Sequence, residues 1–304
     1  MEIPKELPAQ FLRDITDGFS DERKIGEGSF GVVYKGRLAD GKEIAVKKIR
    51  ESSALYDKQF QNEVGSLMEV RHENIVKLIG YCYEIQKKVV EHNGKYILTE
   101  TVEKLLCHEY MSMGSLDNHL FETPCRLDWH VRFNIIKGVC EGLRFLHEGT
   151  QRPIIHLDLK PGNILLDDDM APKIADFGLS RLFGHEQTRT CTQNVIGAIG
   201  YMAPEYLYRG EISIQSDIYS LGLLTIEIVT GEKNCANRQD MTAQNFIENV
   251  RQNWTDMQYI ASKYPSLDID CHNQIRRCID IGLSCVKISR RERPSIGEII
   301  ARLG

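Results

Sequence analysis

Two short segments carry residue types that suit phosphate chemistry. Residues 156–163 read HLDLKPGN, and residues 175–178 read ADFG. Asp158 could accept the proton of a hydroxyl group, whereas Asn163 and Asp176 offer the hard oxygen atoms that Mg²⁺ prefers. Because Mg²⁺ accompanies the phosphates of nucleotides, this set predicts phosphoryl transfer from a nucleotide to a hydroxyl acceptor.

A glycine-rich segment nearer the N-terminus could bind the phosphates. Residues 25–33 read IGEGSFGVV, and their glycines would let backbone N–H groups approach phosphate oxygens without conflict from Cβ atoms. In dinucleotide-binding domains such a pattern opens a helix, but here a hairpin-like sequence follows. A glycine-rich turn that binds nothing is the alternative. The candidate phosphate-binding residues are Ile25, Gly26, Glu27, Gly28, Ser29, Phe30, Gly31 and Val33.

Lys47 and Glu63 form a second candidate pair. Lys47 ends the string IAVK, where a strand ammonium could hold the α and β phosphates and be positioned by a helix carboxylate. The alternative is that both residues are solvated surface charges. Strand alternation favours the binding role, because Ala45 shares a face with Lys47 and is small enough to leave room for adenine.

Hydrophobic periodicity predicts the elements that position these residues. The first third of the chain has β-like alternation with a turn at Asp40 and Gly41, interrupted by one helix over residues 56–70. Extended segments at 75–83, 87–91 and 96–110 follow, with Asn93 and Gly94 as a turn. From Leu116 onward helical spacing dominates, with one helix that begins after Asp128, another over 213–230, and helices joined by exposed loops over 231–267.

Taken in order, these motifs resemble those of eukaryotic protein kinases of the serine/threonine type, nearest to plant receptor-like kinases. The resemblance covers residues 19–303 and extends to YMAPEY at 201–206 and SDIYSLG at 216–222. It implies an α+β, two-lobed kinase fold with ATP between the lobes. Residues 1–18 would be an N-terminal extension, 19–111 a small β-rich lobe with one long helix, and 112–304 a larger, mainly helical lobe.

The resemblance also implies roles for single residues. Asp158, Lys160, Lys47 and Glu63 would be catalytic, with Lys160 favouring Ser or Thr over Tyr as the acceptor. Asn163 and Asp176 would bind Mg²⁺, with Mn²⁺ as a substitute. The Glu109 carbonyl, the Met111 backbone, Ala45 and Leu165 would surround adenine. Glu205 should pair with Arg293, Asp217 should anchor the catalytic loop, and His108, at the gatekeeper position, is expected to have only a packing role.

Two residues depart from the family pattern. Leu157 replaces the arginine that would hold a phosphorylated activation loop, as in the non-RD receptor-like kinases linked to innate immunity. Ala198 stands where the family has a threonine whose hydroxyl contacts the catalytic aspartate and lysine, so we expect a missing contact and weakened activity. Candidate phosphorylation sites are Ser180, Thr188, Thr190 and Thr192. A scaffolding pseudokinase is the alternative function.

Composition restricts the partners. The chain has 304 residues and a formal net charge of −5, so no overall basic field attracts nucleic acid or anionic membranes. Its nine cysteines show no CxxC spacing, and no apolar run approaches the roughly 20 residues of a spanning helix. We expect a cytoplasmic protein that could be recruited to the inner face of the plasma membrane. Its partners would be a protein substrate and a membrane receptor or another kinase.

Overall fold

The computed structural model describes residues 3–50, 54–92, 94–122, 127–184, 188–235 and 243–304. The chain divides into two units. The first comprises Met1–Arg71 and Val76–Met111, and the second comprises His72–Ile75 and Ser112–Gly304. The first unit therefore includes residues 3–18, which the sequence patterns set apart as an extension, and the second includes four residues expected in the small lobe.

In the described residues, a six-stranded sheet, two α-helices and a short 3₁₀ helix (Asp21–Arg23) form the first unit. The strand order is β1-β5-β6-β4-β3-β2, and all neighbours are antiparallel except β1 with β5. The elements are β1 (Lys5–Glu6), α1 (Ala9–Ile15), β2 (Lys24–Glu27), β3 (Gly31–Arg37), β4 (Glu43–Ile49), α2 (Ala54–Leu67), β5 (Leu78–His92) and β6 (Lys95–Glu109).

The predicted hairpin and helix are both present. β3 and β4 pair in register from Gly31 with Ile49 to Arg37 with Glu43. In β4, Ile44 and Val46 are buried, so the alternating apolar residues of the strand face the core. α2 begins two residues before the predicted helix and ends three residues earlier than predicted, a difference within the usual scatter of helix ends.

The N-terminal segment packs into the core of the first unit. Ala9 and Leu12 of α1 are buried with Ile44 and Val46, among other apolar residues of the sheet. The Ala9 N–H donates to Glu84 Oε1 at 2.7 Å. Apolar packing thus makes residues 9–15 a structural part of this unit.

β5 and β6 are longer than the sequence predicted. Two strands of 15 residues each replace the three extended segments expected over 75–110. The gap left over 84–86 belongs to β5, where Glu84 pairs with Glu103 and Gln86 pairs with Thr101 across the hairpin. Of the predicted turn, Asn93 lies outside the described residues. Ile75 instead bridges to Ile174 in the second unit.

Helices form most of the second unit. Asp128 caps α3 (Trp129–Arg144) by accepting from the Val131 N–H, as the sequence predicted. At the start of α5 (Ile214–Thr230), the Ser213 N–H donates to the Ser216 hydroxyl at 3.2 Å. α5 is buried on nearly every side, so its continuous apolar sequence marks a central helix.

Short strands and further helices complete this unit. The predicted polar region contains α6 and α7, and residues 236–242 lie outside the described part of the chain. The elements are β7 (Gly114–Ser115), β8 (Ile154–Ile155), β9 (Ile164–Leu166), β10 (Pro172–Ile174), β11 (Arg181–Leu182), β12 (Thr190–Cys191), α4 (Pro204–Arg209), β13 (Glu211–Ile212), α6 (Gln244–Asn253), α7 (Met257–Lys263), α8 (Ile269–Cys285) and α9 (Ile296–Leu303).

Candidate active site

The loop after β8 is held by a carboxylate from the central helix. Asp217 of α5 is fully buried and accepts the backbone N–H groups of His156 and Leu157, each at 2.8 Å. His147 Nε2 lies 2.9 Å from the same carboxylate. These bonds satisfy a charge that would be costly to bury alone. The predicted anchoring role of Asp217 is confirmed.

Leu157 takes an unusual backbone conformation within this loop. Its φ is 67°, in the left-handed region that costs non-glycine residues energy unless the surroundings hold them there. The bond from its N–H to Asp217 provides such a restraint. The Leu157 side chain is only 6% exposed, so an apolar group occupies the position where the family has an arginine.

Asp158 is fixed through both of its carboxylate oxygens. Oδ2 accepts from Lys160 Nζ and from Asn163 Nδ2, each at 2.8 Å. Oδ1 accepts from the Ala198 N–H at 3.1 Å. The side chain is 3% exposed. A carboxylate with donors on both oxygens is restrained in orientation, as a proton acceptor in catalysis must be.

The loss of the hydroxyl contact expected at Ala198 is accompanied by a backbone contact that the sequence did not predict. The threonine hydroxyl is absent, but residue 198 still reaches Asp158 through its backbone N–H. A main-chain donor depends on the path of the chain and not on the side chain, so no sequence pattern could reveal it. The missing contact is therefore one hydrogen bond among several and leaves Asp158 well supported.

Asn163 and Asp176 lie on two backbone segments that are joined by a hydrogen bond. Asn163 ends a short 3₁₀ turn, and its carbonyl accepts from the Ala175 N–H at 2.9 Å. Its Nδ2 donates to the carbonyl and to Oδ2 of Asp158, so the amide oxygen of Asn163 points away from Asp158. Asp176 has a φ of 65°. His156 Nε2 lies 3.0 Å from the Ala175 carbonyl and ties this segment to the catalytic loop.

The donor set suits a metal that arrives with phosphates. Asn163 and Asp176 offer one amide oxygen and one carboxylate, both hard ligands of the kind that Mg²⁺ binds. Within the described residues, no group of three or more His, Cys, Asp or Glu side chains could hold a metal ion unaided. Two protein ligands completed by phosphate and water oxygens fit this arrangement, since Mg²⁺ keeps several such ligands.

In the first unit, Lys47 and Glu63 form the predicted ion pair. Lys47 Nζ lies 2.8 Å from Glu63 Oε2, and the two side chains are 13% and 2% exposed. Burial by itself would raise the pKa of Glu63, but the Lys47 ammonium and the His108 imidazole lower it to about 2. The pair thus keeps an ionised carboxylate beside the ammonium, whereas the alternative of two solvated surface charges is wrong.

His108 contacts this pair, which no sequence pattern predicted. Its Nε2 lies 3.3 Å from Glu63 Oε1, whereas Lys47 Nζ contacts the other carboxylate oxygen, Oε2. Strand register explains the approach, because His108 pairs with Ala45 two residues before Lys47. No sequence signal links a residue of β6 to a helix 45 positions earlier, so only the fold could reveal the contact.

The glycine-rich segment forms the turn between β2 and β3. The Gly28 N–H donates to the Gly31 carbonyl at 2.9 Å and closes the turn. A side chain at residue 31 would collide with the Lys48 carbonyl, whereas Cβ atoms at Gly26 and Gly28 would meet no closer atom than about 4 Å. Gly31 is therefore required by packing, whereas the space beside Gly26 and Gly28 is open.

The residues expected around adenine lie on three strands and a connection. Glu109 ends β6, and its N–H donates to the Lys77 carbonyl at 3.1 Å. Met111 is 6% exposed, and Ala45 and Leu165 are partly buried in β4 and β9. Ala45 of β4 pairs with His108 of the adjacent strand β6. Binding of adenine by these residues stays a prediction.

Residues 19–302 match the protein kinase domain family. The chain belongs to this family. It is 39% identical over 301 residues to cysteine-rich receptor-like protein kinase 10 of Arabidopsis thaliana, covering 98% of this chain and 43% of that protein. It is 42% identical over 297 residues to cysteine-rich receptor-like protein kinase 6 of Oryza sativa subsp. japonica, covering 97% and 40%.

A third relative belongs to another receptor-like group. The chain is 38% identical over 312 residues to the G-type lectin S-receptor-like serine/threonine-protein kinase SRK of Arabidopsis thaliana, covering 98% of this chain and 35% of that protein. The chain thus spans about two fifths of the length of the curated relatives it matches. Protein kinases use ATP and a divalent metal, generally Mg²⁺. Among the described residues, no helix is long and apolar enough to cross a bilayer.

The larger unit of the kinase domain is braced as the resemblance implied. Arg293 donates from both terminal nitrogens to the two carboxylate oxygens of Glu205, each at 2.7 Å. Such bidentate pairs are the stronger and more directional ion pairs. Arg293 also donates to backbone carbonyls of Lys287, Ile288 and Gln215. The predicted Glu205–Arg293 brace is confirmed.

Glu227 forms a buried polar site that the sequence-based predictions did not include. Its carboxylate is fully buried and accepts from the Tyr201 hydroxyl and from the Asn234 N–H. Burial raises the pKa of Glu227 to about 7. The signal was present in the sequence, because Glu227 is the one charged residue within the apolar stretch 218–229.

The four candidate phosphorylation sites of the activation segment differ in exposure, and one of them, Ser180, is buried. Ser180 is 1% exposed, and its hydroxyl donates to the Phe177 carbonyl at 2.6 Å, so this candidate hydroxyl is buried and engaged. Thr188 is exposed, while Thr190 lies in β12 and the Thr192 hydroxyl donates to the Asn194 carbonyl. Thr188 therefore offers the most accessible hydroxyl of the four.

Proposed function

We propose that this kinase domain transfers the γ-phosphate of ATP to Ser or Thr hydroxyls of proteins. The observation that carries this proposal is the Asp158 carboxylate, held by Lys160, Asn163 and the Ala198 N–H. Mg²⁺ would neutralise the phosphates and ATP would supply the phosphoryl group. The relatives named as receptor-like serine/threonine-protein kinases support the same substrate class.

Each residue of the candidate active site would have a separate role. Asp158 would orient the substrate hydroxyl and accept its proton, and Lys160 would offset negative charge at the transferring group. Asn163 and Asp176 would hold the metal. Lys47, kept in place by Glu63, would hold the α and β phosphates. The open backbone around Gly26 and Gly28 would lie over the phosphates.

No observation favours the pseudokinase alternative. Kinase domains that lose activity commonly lack a phosphate or metal ligand, whereas Lys47, Asn163 and Asp176 are all present here. Leu157 and Ala198 are the departures from the family pattern that could weaken activity. Ala198 lacks the hydroxyl of the family threonine, but its N–H and the Lys160 and Asn163 side chains still donate to the Asp158 carboxylate.

We place the domain in receptor-type signalling as part of the same proposal. The relatives named as receptor-like kinases support this setting, and Leu157 supports a defence pathway through its likeness to the non-RD class. We propose a cytoplasmic location, recruitment to the inner face of the plasma membrane, and a membrane receptor or another kinase as partner. The eight described cysteines are free thiols, which suits a reducing compartment.

Labelled ATP tests the proposed activity. The purified chain, incubated with Mg²⁺ and ATP labelled on its γ-phosphate, should label itself or an added protein on Ser and Thr, as read by phosphoamino-acid analysis. Mn²⁺ should substitute. Asp158→Asn should abolish transfer, whereas Asp169→Asn, at an exposed turn, should leave it unchanged. Nucleotide binding without transfer by the unmodified chain would support the pseudokinase instead.

A further inference from the structure

The glycine-rich turn lies beyond the last paired residues of β3 and β4. The final register pair of these strands is Gly31 with Ile49, so residues 28–30 project past the end of β4. Within the turn, the Gly28 N–H donates to the Gly31 carbonyl. Glycine gives the backbone unusual freedom, so ordering such a turn costs entropy. Contacts from outside the turn are therefore needed to fix its place.

Arg50, the residue that follows β4, contacts this turn at three points. Its backbone N–H donates to the Phe30 carbonyl at 3.1 Å. Its guanidinium donates to Glu27 Oε1 at 2.6 Å and to the Gly28 carbonyl at 3.4 Å. We define the Arg50 link as these two contacts of the guanidinium. The link joins the end of β2 and the start of the turn to the end of β4.

Strand alternation places the Arg50 link on the face of the sheet opposite Lys47. Glu27 pairs with Val32, and Val32 pairs with Lys48. The Lys48 ammonium lies over the Phe19 ring, on the side that packs against α1, whereas Lys47 points toward α2. The link therefore acts on a nucleotide bound at Lys47 through the backbone of the turn and not by direct contact.

Glu27 is the shared acceptor of two cations. Besides Arg50, Lys24 Nζ lies 2.5 Å from the Glu27 carboxylate. Both cations lower the pKa of Glu27, and Lys24 has the larger effect. Glu27 is therefore ionised at neutral pH. Lys24 belongs to β2 itself, so of these two contacts the one with Arg50 joins different strands.

We infer that Arg50 is a positioning residue for ATP. By holding Glu27 and the Gly28 carbonyl, it keeps the glycine-rich turn ordered before the phosphates arrive. A loop that is already ordered loses less entropy when its ligand binds. The inference rests on the proposed function, since ATP is the ligand. Residue 50 lies outside the glycine-rich motif at 25–33, so the motif alone does not reveal this role.

The exposure of the Arg50 link sets the size of the effect. The side chains of Arg50 and Glu27 are 46% and 44% exposed. Exposed ion pairs contribute little, so loss of the link should weaken ATP binding by about two- to fivefold. The bond from the Arg50 N–H to the Phe30 carbonyl does not involve the side chain, so it can remain in every variant.

ATP binding to the full chain in the presence of Mg²⁺ measures this effect. Displacement of a fluorescent ATP analogue gives the Kd for ATP. Arg50→Met keeps the apolar stem but no donor, and it should raise the Kd by about two- to fivefold. Arg50→Lys keeps the charge but not the forked donors, so its Kd should fall between those of Arg50→Met and the unmodified chain.

Glu27→Met separates positioning from simple charge attraction. ATP is an anion, so loss of a nearby carboxylate would by charge alone strengthen its binding. Loss of the Arg50 link predicts the opposite sign, with a Kd raised about as much as in Arg50→Met. The double variant should bind no more weakly than the weaker single variant, because both substitutions remove the same contact.

Arg37→Met is the matched control. Arg37 is exposed at the other end of β3, so this variant loses the same charge without touching the turn, and its Kd should be unchanged. Hydrogen–deuterium exchange adds a readout that needs no nucleotide. The N–H groups of residues 28–31 should exchange faster in Arg50→Met and Glu27→Met than in Arg37→Met or the unmodified chain. Circular dichroism would verify that every variant is folded.

The possible failures are distinguishable. An unchanged Kd in Arg50→Met, or tighter binding by Glu27→Met, would overturn the role of Arg50 and leave the proposed activity intact. Equal exchange of the turn in all four proteins would overturn it as well. An unmodified chain that binds no ATP would contradict the proposed function itself, and the role of Arg50 with it.

Discussion

At the scale of single residues, the catalytic loop is organised around charges that are fully paired. Asp158 receives donors on both oxygens, and Asp217 receives two loop N–H groups. Charged hydrogen bonds are worth about 1.5–3 kcal/mol each, so several of them fix a loop that includes a strained Leu157. The strain at Leu157 is thus compatible with a stable loop because its neighbours are held.

Ala198→Thr should raise turnover modestly. A hydroxyl at this position could add one charged hydrogen bond near Asp158, and the lower value of about 1.5 kcal/mol corresponds to roughly tenfold in rate. The gain should be no larger, because the Ala198 N–H already supports the carboxylate. Single-turnover phosphorylation at saturating ATP measures it.

Ala198→Val is the matched control for that substitution. Valine has nearly the shape of threonine without its hydroxyl, so it should not raise the rate. Equal acceleration by both variants would show that added bulk, and not the hydrogen bond, is responsible.

At the scale of elements, α5 contributes both structural and polar groups to the second unit. Its first turn carries Asp217 under the catalytic loop, and its last turns carry Glu227 under Tyr201. Both carboxylates lie on a helix that is otherwise apolar and buried. Asp217 is paired by loop N–H groups, whereas Glu227 faces a neutral hydroxyl and one N–H, so burial dominates its titration.

Glu227→Gln should change how stability depends on pH. Because burial raises the pKa of Glu227 from 4.5 to about 7, the contribution of the protonated acid is present below about pH 4.5 and is lost as the pH rises through 7. Glutamine stays neutral and can keep the bonds to Tyr201 and Asn234. At pH 8 the variant should be more stable by about 3 kcal/mol.

Urea unfolding at several pH values measures this difference. The two proteins should have similar stability near pH 4.5 and diverge above it. Glu73→Gln, at an exposed position, serves as the control and should show no divergence. A variant that is less stable at every pH would mean that the ionised carboxylate stabilises the unit.

The activation segment leads to a prediction about phosphorylation. Thr188 is exposed, so mass spectrometry of the autophosphorylated chain should find phosphate there and none at the buried Ser180. Thr188→Ala should change activity by less than about tenfold, or about 1.4 kcal/mol, because the apolar Leu157 cannot pair with a phosphate. A larger loss would mean that another cation binds this phosphate.

At the scale of the whole molecule, local patterns predicted most elements and several contacts. The hairpin of β3 and β4 and the Asp128 cap follow from residue type and spacing, whereas the Glu205–Arg293 brace was implied by the resemblance to protein kinases. Contacts between distant segments were missed, as at His108 and Glu63. Burial of a small polar residue was missed too, because the sequence does not reveal what surrounds Ser180.

Local sequence patterns also could not predict the boundaries of the first unit. Residues 9–15 were expected to belong to an N-terminal extension, and only their packing on the sheet makes them part of the core. Likewise, the residues left between the predicted extended segments continue β5 and β6, since cross-strand pairing compensates for their low apolar content. Both the packing of residues 9–15 and the length of β5 and β6 therefore depend on tertiary contacts.

The role of α1 can be tested through one buried side chain. Leu12 is fully buried against the sheet, so Leu12→Ala should lower the free energy of unfolding by about 2–4 kcal/mol. Phe11 is 39% exposed on the same helix, and Phe11→Ala should cost less than about 0.5 kcal/mol. A chain that starts at Phe19 loses Leu12, Ala9 and the Arg13–Glu103 pair, so it should be less stable than Leu12→Ala. Urea unfolding compares all four proteins, and equal stability of the shortened and full chains would mean that residues 3–18 are a dispensable extension.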